Sequence, residues 1–360
     1  MQRVRQSTDE RTDVHLLTGF LGSGKTSLLQ RHLRDTPQAD TAVLINEFGE
    51  VGLDHRLVSA SDAPVELIEN GCLCCAVSGR LRETLRALLA SSKRSDSAGF
   101  RRLVIETSGL ACPEPILNTI RTDYALAEYL RMGTIVTALD ATAAIATLAR
   151  YAEAVHQVSA ADRIVITKAD LVDAATVRGI MTRARTVNPL AEIVVANHAL
   201  RASTLFDPTP PRPVAKPSVS ASHSGTLGSF TLTYAEPLDW ARFSLWLAAL
   251  LHRHGRHVLR FKAILELHGY AFPVVLHGVQ HLMFPPRHLP YRPRGETGSS
   301  LVFIVDGVEP ERIKRSLRRF MNLGEVTIRE EMTPASSGRT PSHSTNQEET
   351  EMTGADNGRR

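Results

Sequence analysis

The stretch Val14-His15-Leu16-Leu17-Thr18-Gly19-Phe20-Leu21-Gly22-Ser23-Gly24-Lys25-Thr26-Ser27 decides the fold. Val14–Thr18 is a short apolar run, and Gly19–Thr26 fits G-x-x-x-x-G-K-[ST] in full. A helical pattern follows over Lys25–Arg34. Glycines let backbone N–H groups turn inward around phosphate oxygens. The helix N-terminus adds positive partial charge at the same point. The reading is a phosphate cradle of Gly19, Gly22, Ser23, Gly24 and Ser27, with Lys25 reaching the β- and γ-phosphates and Thr26 a ligand of Mg²⁺. A glycine-rich turn without a ligand is the competing reading, and the strand–loop–helix context speaks against it.

Around this segment, short apolar runs alternate with helical patterns. The expected strands are Val14–Thr18, Ala42–Asn46, Leu103–Glu106, Thr134–Leu139, Ile164–Thr167 and Ile193–Ala196. Helical stretches between them include Gly79–Ala90 and Ala174–Thr186. Near-continuous apolar runs suit a parallel sheet buried on both faces. The fold class is therefore α/β: a P-loop NTPase domain with a mostly parallel, doubly wound sheet, followed by a smaller α+β C-terminal domain. In that second unit the expected elements are Ser229–Tyr234, Val258–Leu267, Val274–His281 and Leu301–Val305 as strands, with helices over Leu238–His254 and Glu309–Met321.

Composition sets the outer limits. The 360 residues are 42% hydrophobic and 22% charged, as in an ordinary globular protein with room for two domains. Lys and Arg number 42 against 38 Asp and Glu, a net charge of +4, with aromatics at 5%. That balance is too weak and too dispersed for nucleic acid. No apolar run reaches the ~18 residues of a membrane helix. The opening residues lack the apolar core of a secretory signal, so a cytoplasmic location is expected. Residues 207–225 hold five prolines and four serines. Residues 333–360 contain no Val, Ile, Leu, Phe, Tyr or Trp. The expected organisation is a disordered 1–12, a nucleotide domain over 13–206, a linker over 207–227, an α+β domain over 228–332 and a disordered tail over 333–360. Association with a second copy is left open.

Two further segments complete the expected nucleotide site. The strand Leu103–Ile105 runs into Glu106-Thr107-Ser108-Gly109. An acid at the C-terminal end of an apolar strand is well placed near Mg²⁺ and the attacking water, and Gly109 lets a backbone N–H approach the γ-phosphate. The strand Ile164–Thr167 runs into Thr167-Lys168-Ala169-Asp170, which resembles the guanine-reading N-K-x-D of GTPases with Thr in place of Asn. A carboxylate at Asp170 would accept from guanine N1–H and its 2-amino group, donors that adenine lacks.

The densest chemistry is Glu69-Asn70-Gly71-Cys72-Leu73-Cys74-Cys75. Three of the four cysteines lie here, which in a reducing compartment points to metal or redox chemistry. Thiolates suit Zn²⁺, Cu(I) or iron–sulfur chemistry, and the lack of a local fourth Cys favours an open or mixed-ligand site. Buried cysteines without a ligand role are the bland alternative. His252, His254 and His257 end a helical pattern and read as a solvated face or helix C-terminal cap before they read as ligands.

Taken in order, the P-loop, C-x-C-C, E-T-S-G and T-K-x-D resemble the CobW-like branch of the P-loop GTPases. Asn46–Asp54 looks like that family's first switch segment, and Arg260-Phe261-Lys262 and His277-Gly278-Val279-Gln280 match landmarks of its C-terminal domain. The resemblance implies a GTP-hydrolysing metallochaperone that binds Zn²⁺, or Co²⁺, and hands it to a client metalloprotein. It implies Cys72, Cys74 and Cys75 as metal ligands, with Glu47 as an oxygen ligand or neighbour. Cys112 stands where relatives usually carry Asp, either as an extra thiol near the metal or as a packing residue, and the packing reading is preferred. Two alternatives stay open: a non-enzymatic zinc sensor or buffer with regulatory nucleotide binding, and a cobalt chaperone for cobalamin synthesis.

Overall fold

A computed structural model describes residues 11–35, 41–46, 65–68, 77–94, 100–197, 200–209, 227–291, 298–322 and 327–332. Glu47, the rest of the expected switch segment, Cys72, Cys74 and Cys75, most of the linker and the C-terminal tail lie outside the described residues.

The first sheet is parallel throughout. Its strands are β1 (Thr12–Gly19), β2 (Thr41–Asn46), β3 (Val65–Ile68), β4 (Arg102–Glu106), β5 (Leu130–Asp140), β6 (Arg163–Thr167) and β7 (Glu192–Val195). They lie in the order β3-β2-β4-β1-β5-β6-β7. Apolar residues leave β1 on both faces. Val14 and Leu16 join Leu103, Ile105, Ile116 and Leu117 in one core, while Leu17 joins Leu28, Leu29 and Val104 in another. Helix α1 (Lys25–Asp35) therefore covers one face. Helices α2 (Val77–Arg94) and α3 (Glu114–Thr122) cover the other. After α4 (Tyr124–Tyr129) and β5 come α5 (Ala144–Arg150), α6 (Ala152–Ala160) and α7 (Ala174–Val187).

Two boundaries extend the sequence reading. Strand β1 begins at Thr12, the last residue of the segment expected to be disordered, and the Thr12 hydroxyl donates to the Phe100 carbonyl at 3.2 Å. Strand β5 begins at Leu130, four residues earlier than expected, because Arg131 pairs with Asp13 at 2.6 Å across the ladder. Between them the ladder shifts register at His15. The His15 ring lies against Gly133, where a Cβ would meet it at 2.6 Å, and its Nδ1 accepts from the Thr134 N–H at 3.0 Å.

The second sheet is antiparallel, in the order β11-β10-β9-β13-β8-β14. Its strands are β8 (Leu227–Tyr234), β9 (Val258–Leu265), β10 (Val274–Val279), β11 (Leu282–Met283), β13 (Ser299–Asp306) and β14 (Thr327–Met332), with β12 (Arg287–His288) pairing β10 off that path. Helices α8 (Trp240–His254) and α9 (Pro310–Met321) send Phe243, Trp246, Leu247, Ile313 and Leu317 onto Phe230, Phe261, Phe303 and Leu301.

The other face of this sheet lies on the first unit. Strand β9 alternates, so Phe261 and Ala263 enter the helix-covered core while Arg260 and Lys262 point the opposite way. Arg260 donates to the Ala160 carbonyl at 2.6 Å and pairs with Asp162, and Lys262 reaches Asp162 at 3.2 Å. Leu259, Val302 and Ile304 pack with Leu190, and Val279, Leu282 and Phe284 extend the core beneath α2 and α3. Among the described residues no helix is long and apolar enough to cross a membrane.

Candidate functional site

Strands β4, β1, β5 and β6 are neighbours, so their C-terminal ends form one continuous edge. That edge of a parallel sheet is where ligands bind in open α/β folds. The loop Gly19–Thr26 leaves β1 here and opens α1, whose first turn carries no acidic residue. Gly19, Gly22 and Gly24 have φ of 141°, 69° and 83°. At Gly19 a Cβ would meet the Ala138 carbonyl oxygen at 2.4 Å, so only glycine lets the loop lie this close to β5. The Ser23 hydroxyl is buried at the centre of the loop with no hydrogen-bond partner among the described residues.

Lys25 is buried, and its ammonium donates to the carbonyls of Gly19 and Phe20 at 3.1 and 3.3 Å. Thr26 donates its hydroxyl to Glu106 Oε1 at 2.7 Å, joining the start of α1 to the end of β4. A hydroxyl and a carboxylate meeting beside a phosphate cradle are hard oxygen donors of the kind that hold Mg²⁺. The buried Glu106 is followed by Thr107, which donates to the Thr18 hydroxyl at 3.0 Å. Gly109 then touches the loop itself. A Cβ there would sit 2.6 Å from the Leu21 nitrogen, so glycine at this position permits the close backbone approach to Leu21.

At the opposite wall, the Thr167 hydroxyl donates to the Ser23 carbonyl at 2.7 Å. Threonine in place of the usual asparagine thus ties β6 to the phosphate loop. Lys168 takes a left-handed conformation, φ 53°, and its ammonium donates to the Gly22 carbonyl at 2.8 Å and to Asp140 Oδ2 at 2.6 Å. Burial alone would raise the Asp140 carboxyl pKa, yet hydrogen bonds from Lys168 and Thr142 hold it below the ordinary value. Asp170 is exposed in the single turn Ala169–Leu171. It opens onto a cleft of about 770 Å³ lined also by Arg31, Val177, Arg178, Ala196 and Asn197. Arg31 closes one side by donating to the carbonyls of Asn197 and Leu200 at 3.1 and 2.9 Å.

The structure therefore gathers Gly19, Gly22, Ser23, Gly24, Lys25, Thr26, Glu106, Gly109, Thr167 and Lys168 about one loop, with Asp170 at its flank and Ser27 on the exposed side of α1. Two contributors were not foreseen from sequence. Asp140 ends the apolar strand β5 as Glu106 ends β4, so the same strand-end signal could have found it. Gln157 donates to the carbonyls of Gly109 and Ala111 at 3.1 and 2.9 Å and had no signal in the sequence.

Residues 13–195 match the nucleotide-binding domain of the CobW/HypB/UreG family, and residues 227–321 match the C-terminal domain of the cobalamin synthesis protein CobW. The zinc chaperone YjiA of Escherichia coli (strain K12) is 30% identical over 313 residues, covering 84% of this chain and 96% of that protein. The zinc chaperone CobW of Pseudomonas aeruginosa is 31% identical over 204 residues, covering 48% of this chain and 53% of that protein. The crystal structure of Zn(II)-bound YjiA GTPase from E. coli superposes with a TM-score of 0.63 at 25% identity, over 86% of this chain and 99% of that one.

Proposed function

This chain belongs to the CobW/HypB/UreG family, and on that footing we propose that it is a GTP-hydrolysing zinc metallochaperone. The observation that carries the nucleotide half is the Thr26–Glu106 hydrogen bond of 2.7 Å at the mouth of the phosphate loop, beside the buried Lys25. The metal half rests on Cys72, Cys74 and Cys75 in the sequence and on relatives named as zinc chaperones.

In this reading Lys25 turns from the loop carbonyls to the β- and γ-phosphates, and loop N–H groups fix the remaining oxygens. Thr26 and Glu106 would hold Mg²⁺, which neutralises phosphate charge when bound. Glu106 also orients a water. That water attacks the γ-phosphorus in line, the bond to the β–γ bridging oxygen breaks, and GDP and phosphate leave. Catalysis is positioning and electrostatics, with no covalent enzyme intermediate. Asp170 reads guanine at the cleft beside Asn197. Zn²⁺ is cargo, taken by the three thiolates with Glu47 as neighbour, and passed to a client metalloprotein in the cytoplasm.

Gating follows from chain order. Cys72–Cys75 lies between Asn46–Asp54 and Glu106–Gly109, and both flanking segments order around the γ-phosphate and relax after hydrolysis. Allosteric coupling of ~1–3 kcal/mol makes Zn²⁺ affinity differ roughly 5–150-fold between the two nucleotide states. Chelator competition, run with GDP and with a non-hydrolysable GTP analogue, measures it. Equal affinities in the two states would reject GTP-gated transfer and favour the sensor or buffer reading.

A further inference from the structure

Three side chains outside the nucleotide site converge where the loop after β4 meets α6. Cys112 ends that loop, Glu114 opens α3 and His156 lies within α6. Cys112 Sγ is 3.9 Å from His156 Nδ1, and His156 Nδ1 is 4.0 Å from Glu114 Oε1. The three donor atoms all lie within 4.8 Å of one another, and each residue is half-buried. From the second unit, Gln280 donates its Nε2 to Glu114 Oε1 at 3.1 Å. Gln157, next to His156, fixes the same loop by its bonds to the Gly109 and Ala111 carbonyls.

The Cys112–His156 contact is a long one through sulfur, and the His156–Glu114 pair stands wider than a close ion pair. A charge-assisted N–H···O contact is shortest near 2.7–2.9 Å, and the His156–Glu114 separation is longer by about 1 Å. Three Lewis bases instead surround one point. A tetrahedral zinc, with a bond of about 2.3 Å to sulfur and about 2.0–2.2 Å to nitrogen or oxygen, sets its ligand atoms about 3.4–3.6 Å apart. The observed set needs to close by about 0.5–1 Å, within reach of small χ rotations. Among the described residues this is the group of three donors that meets such a limit, and His252, His254 and His257 do not form another.

We infer that Cys112, Glu114 and His156 form a further binding site for a divalent transition metal of the Zn²⁺ class, with one coordination position left open. A thiolate and an imidazole select such an ion over Mg²⁺ or Ca²⁺. Three protein ligands with an open position make an exchangeable site, in contrast to a closed four-ligand structural one. The ion draws the loop that follows Glu106 against α6, and Gln280 orients the Glu114 carboxylate as an outer partner. This inference is independent of the role proposed for Cys72, Cys74 and Cys75.

The cysteine count supplies the test. The chain has four cysteines, so full-length protein with Cys72, Cys74 and Cys75 replaced by Ser retains Cys112 as its sole thiol. Titrated with Co²⁺, this variant should bind one equivalent and develop a thiolate-to-cobalt charge-transfer band that Zn²⁺ then displaces. Adding Cys112→Ser should remove the band. His156→Ala should abolish the one-equivalent binding, and Gln280→Ala should lower affinity about 10–100-fold. In the otherwise unaltered chain, Cys112→Ser should reduce Zn²⁺ stoichiometry by one, which covers the case of a triple variant that does not fold. Absence of the band in a folded triple variant, its survival unchanged in His156→Ala, or an unaltered stoichiometry in Cys112→Ser would overturn the site.

Discussion

The C-terminal edge of the parallel sheet and the contact between the two sheets are both rich in charge, and they treat it in opposite ways. At the edge, Lys25 is held by carbonyls of the phosphate loop, Lys168 by the Gly22 carbonyl and Asp140, and the Ser23 hydroxyl is buried without a partner among the described residues. At the contact, charge meets charge. Burial alone would raise the Asp162 carboxyl pKa, yet the Arg260 guanidinium and the Lys262 ammonium hold it well below the usual carboxylate range. Asp162 also accepts from the Ile135 N–H at 3.1 Å. The contact pairs its cations with a carboxylate of the chain, while the phosphate loop of the edge is poised for an anion from outside. Polar groups of one kind thus serve chemistry in one place and cohesion in the other.

The strongest way to break this comparison is Lys25→Ala. It should abolish the proposed GTP hydrolysis, because the phosphates lose their fixed cation, while the melting temperature stays near that of the parent chain. Phosphate-release assays check the first outcome and calorimetry the second. A stable variant with full hydrolysis would remove the edge from the chemistry.

Arg260→Ala should do the reverse. It leaves Asp162 with only Lys262 and the Ile135 N–H and removes the bond to the Ala160 carbonyl, and loss of one partner from a buried pair costs up to about 3–5 kcal/mol. Urea unfolding should show that loss. Nucleotide affinity of the folded fraction should stay close to that of the parent chain. A loss below about 1 kcal/mol would mean that the contact contributes little cohesion.

The smallest effect sharpens the contrast by pH. Burial pushes His277, at the contact, and His15, in strand β1 of the parallel sheet, each down to about 3. Both stay neutral in the fold at pH values where the unfolded chain binds protons. Their contribution is complete above the ordinary value of 6.5 and is lost as pH falls from there towards 3. Between pH 7.5 and 5.5 each should remove about 1.4 kcal/mol. His277→Gln should reduce the number of protons taken up on unfolding by one at pH 5.5, as read from the pH slope of urea stability. An unchanged slope in that variant would show His277 to be accessible to protons in the fold.

The parallel sheet is legible in the sequence where its strands are central. Val14–Thr18, Leu103–Glu106 and Ile164–Thr167 are buried on both faces, so apolar continuity marks them. Val65–Ile68 and Thr327–Met332 escape the same reading. Each is the outermost strand of its sheet and needs only one neighbour. Edge strands tolerate charge, and Glu66, Arg329, Glu330 and Glu331 interrupt the apolar pattern. The phosphate loop is legible because its function demands a contiguous spacing. The cluster of Cys112, Glu114 and His156 is not, because topology brings together residues 44 positions apart in the chain and adds Gln280 from 166 positions away. Arg260-Phe261-Lys262 stands between these cases. The sequence marks it as a landmark, and only the alternation of β9 shows that its two cations face Asp162 while its ring faces the other core.

The place of β1 has a consequence for how the chain acquires its shape during synthesis. It precedes the other six strands of its sheet in the chain, yet it lies between β4 and β5, with Leu17 in register with Glu106 and Val136. Until Asp140 has emerged, the segment Gly19–Thr26 lacks one of the strands that flank it. Contacts between residues so distant in sequence form slowly, because a long loop must close first. The P-loop thus precedes in the chain the strands that complete its surroundings, and GTP finds a complete cradle only after β4 and β5 have paired with β1.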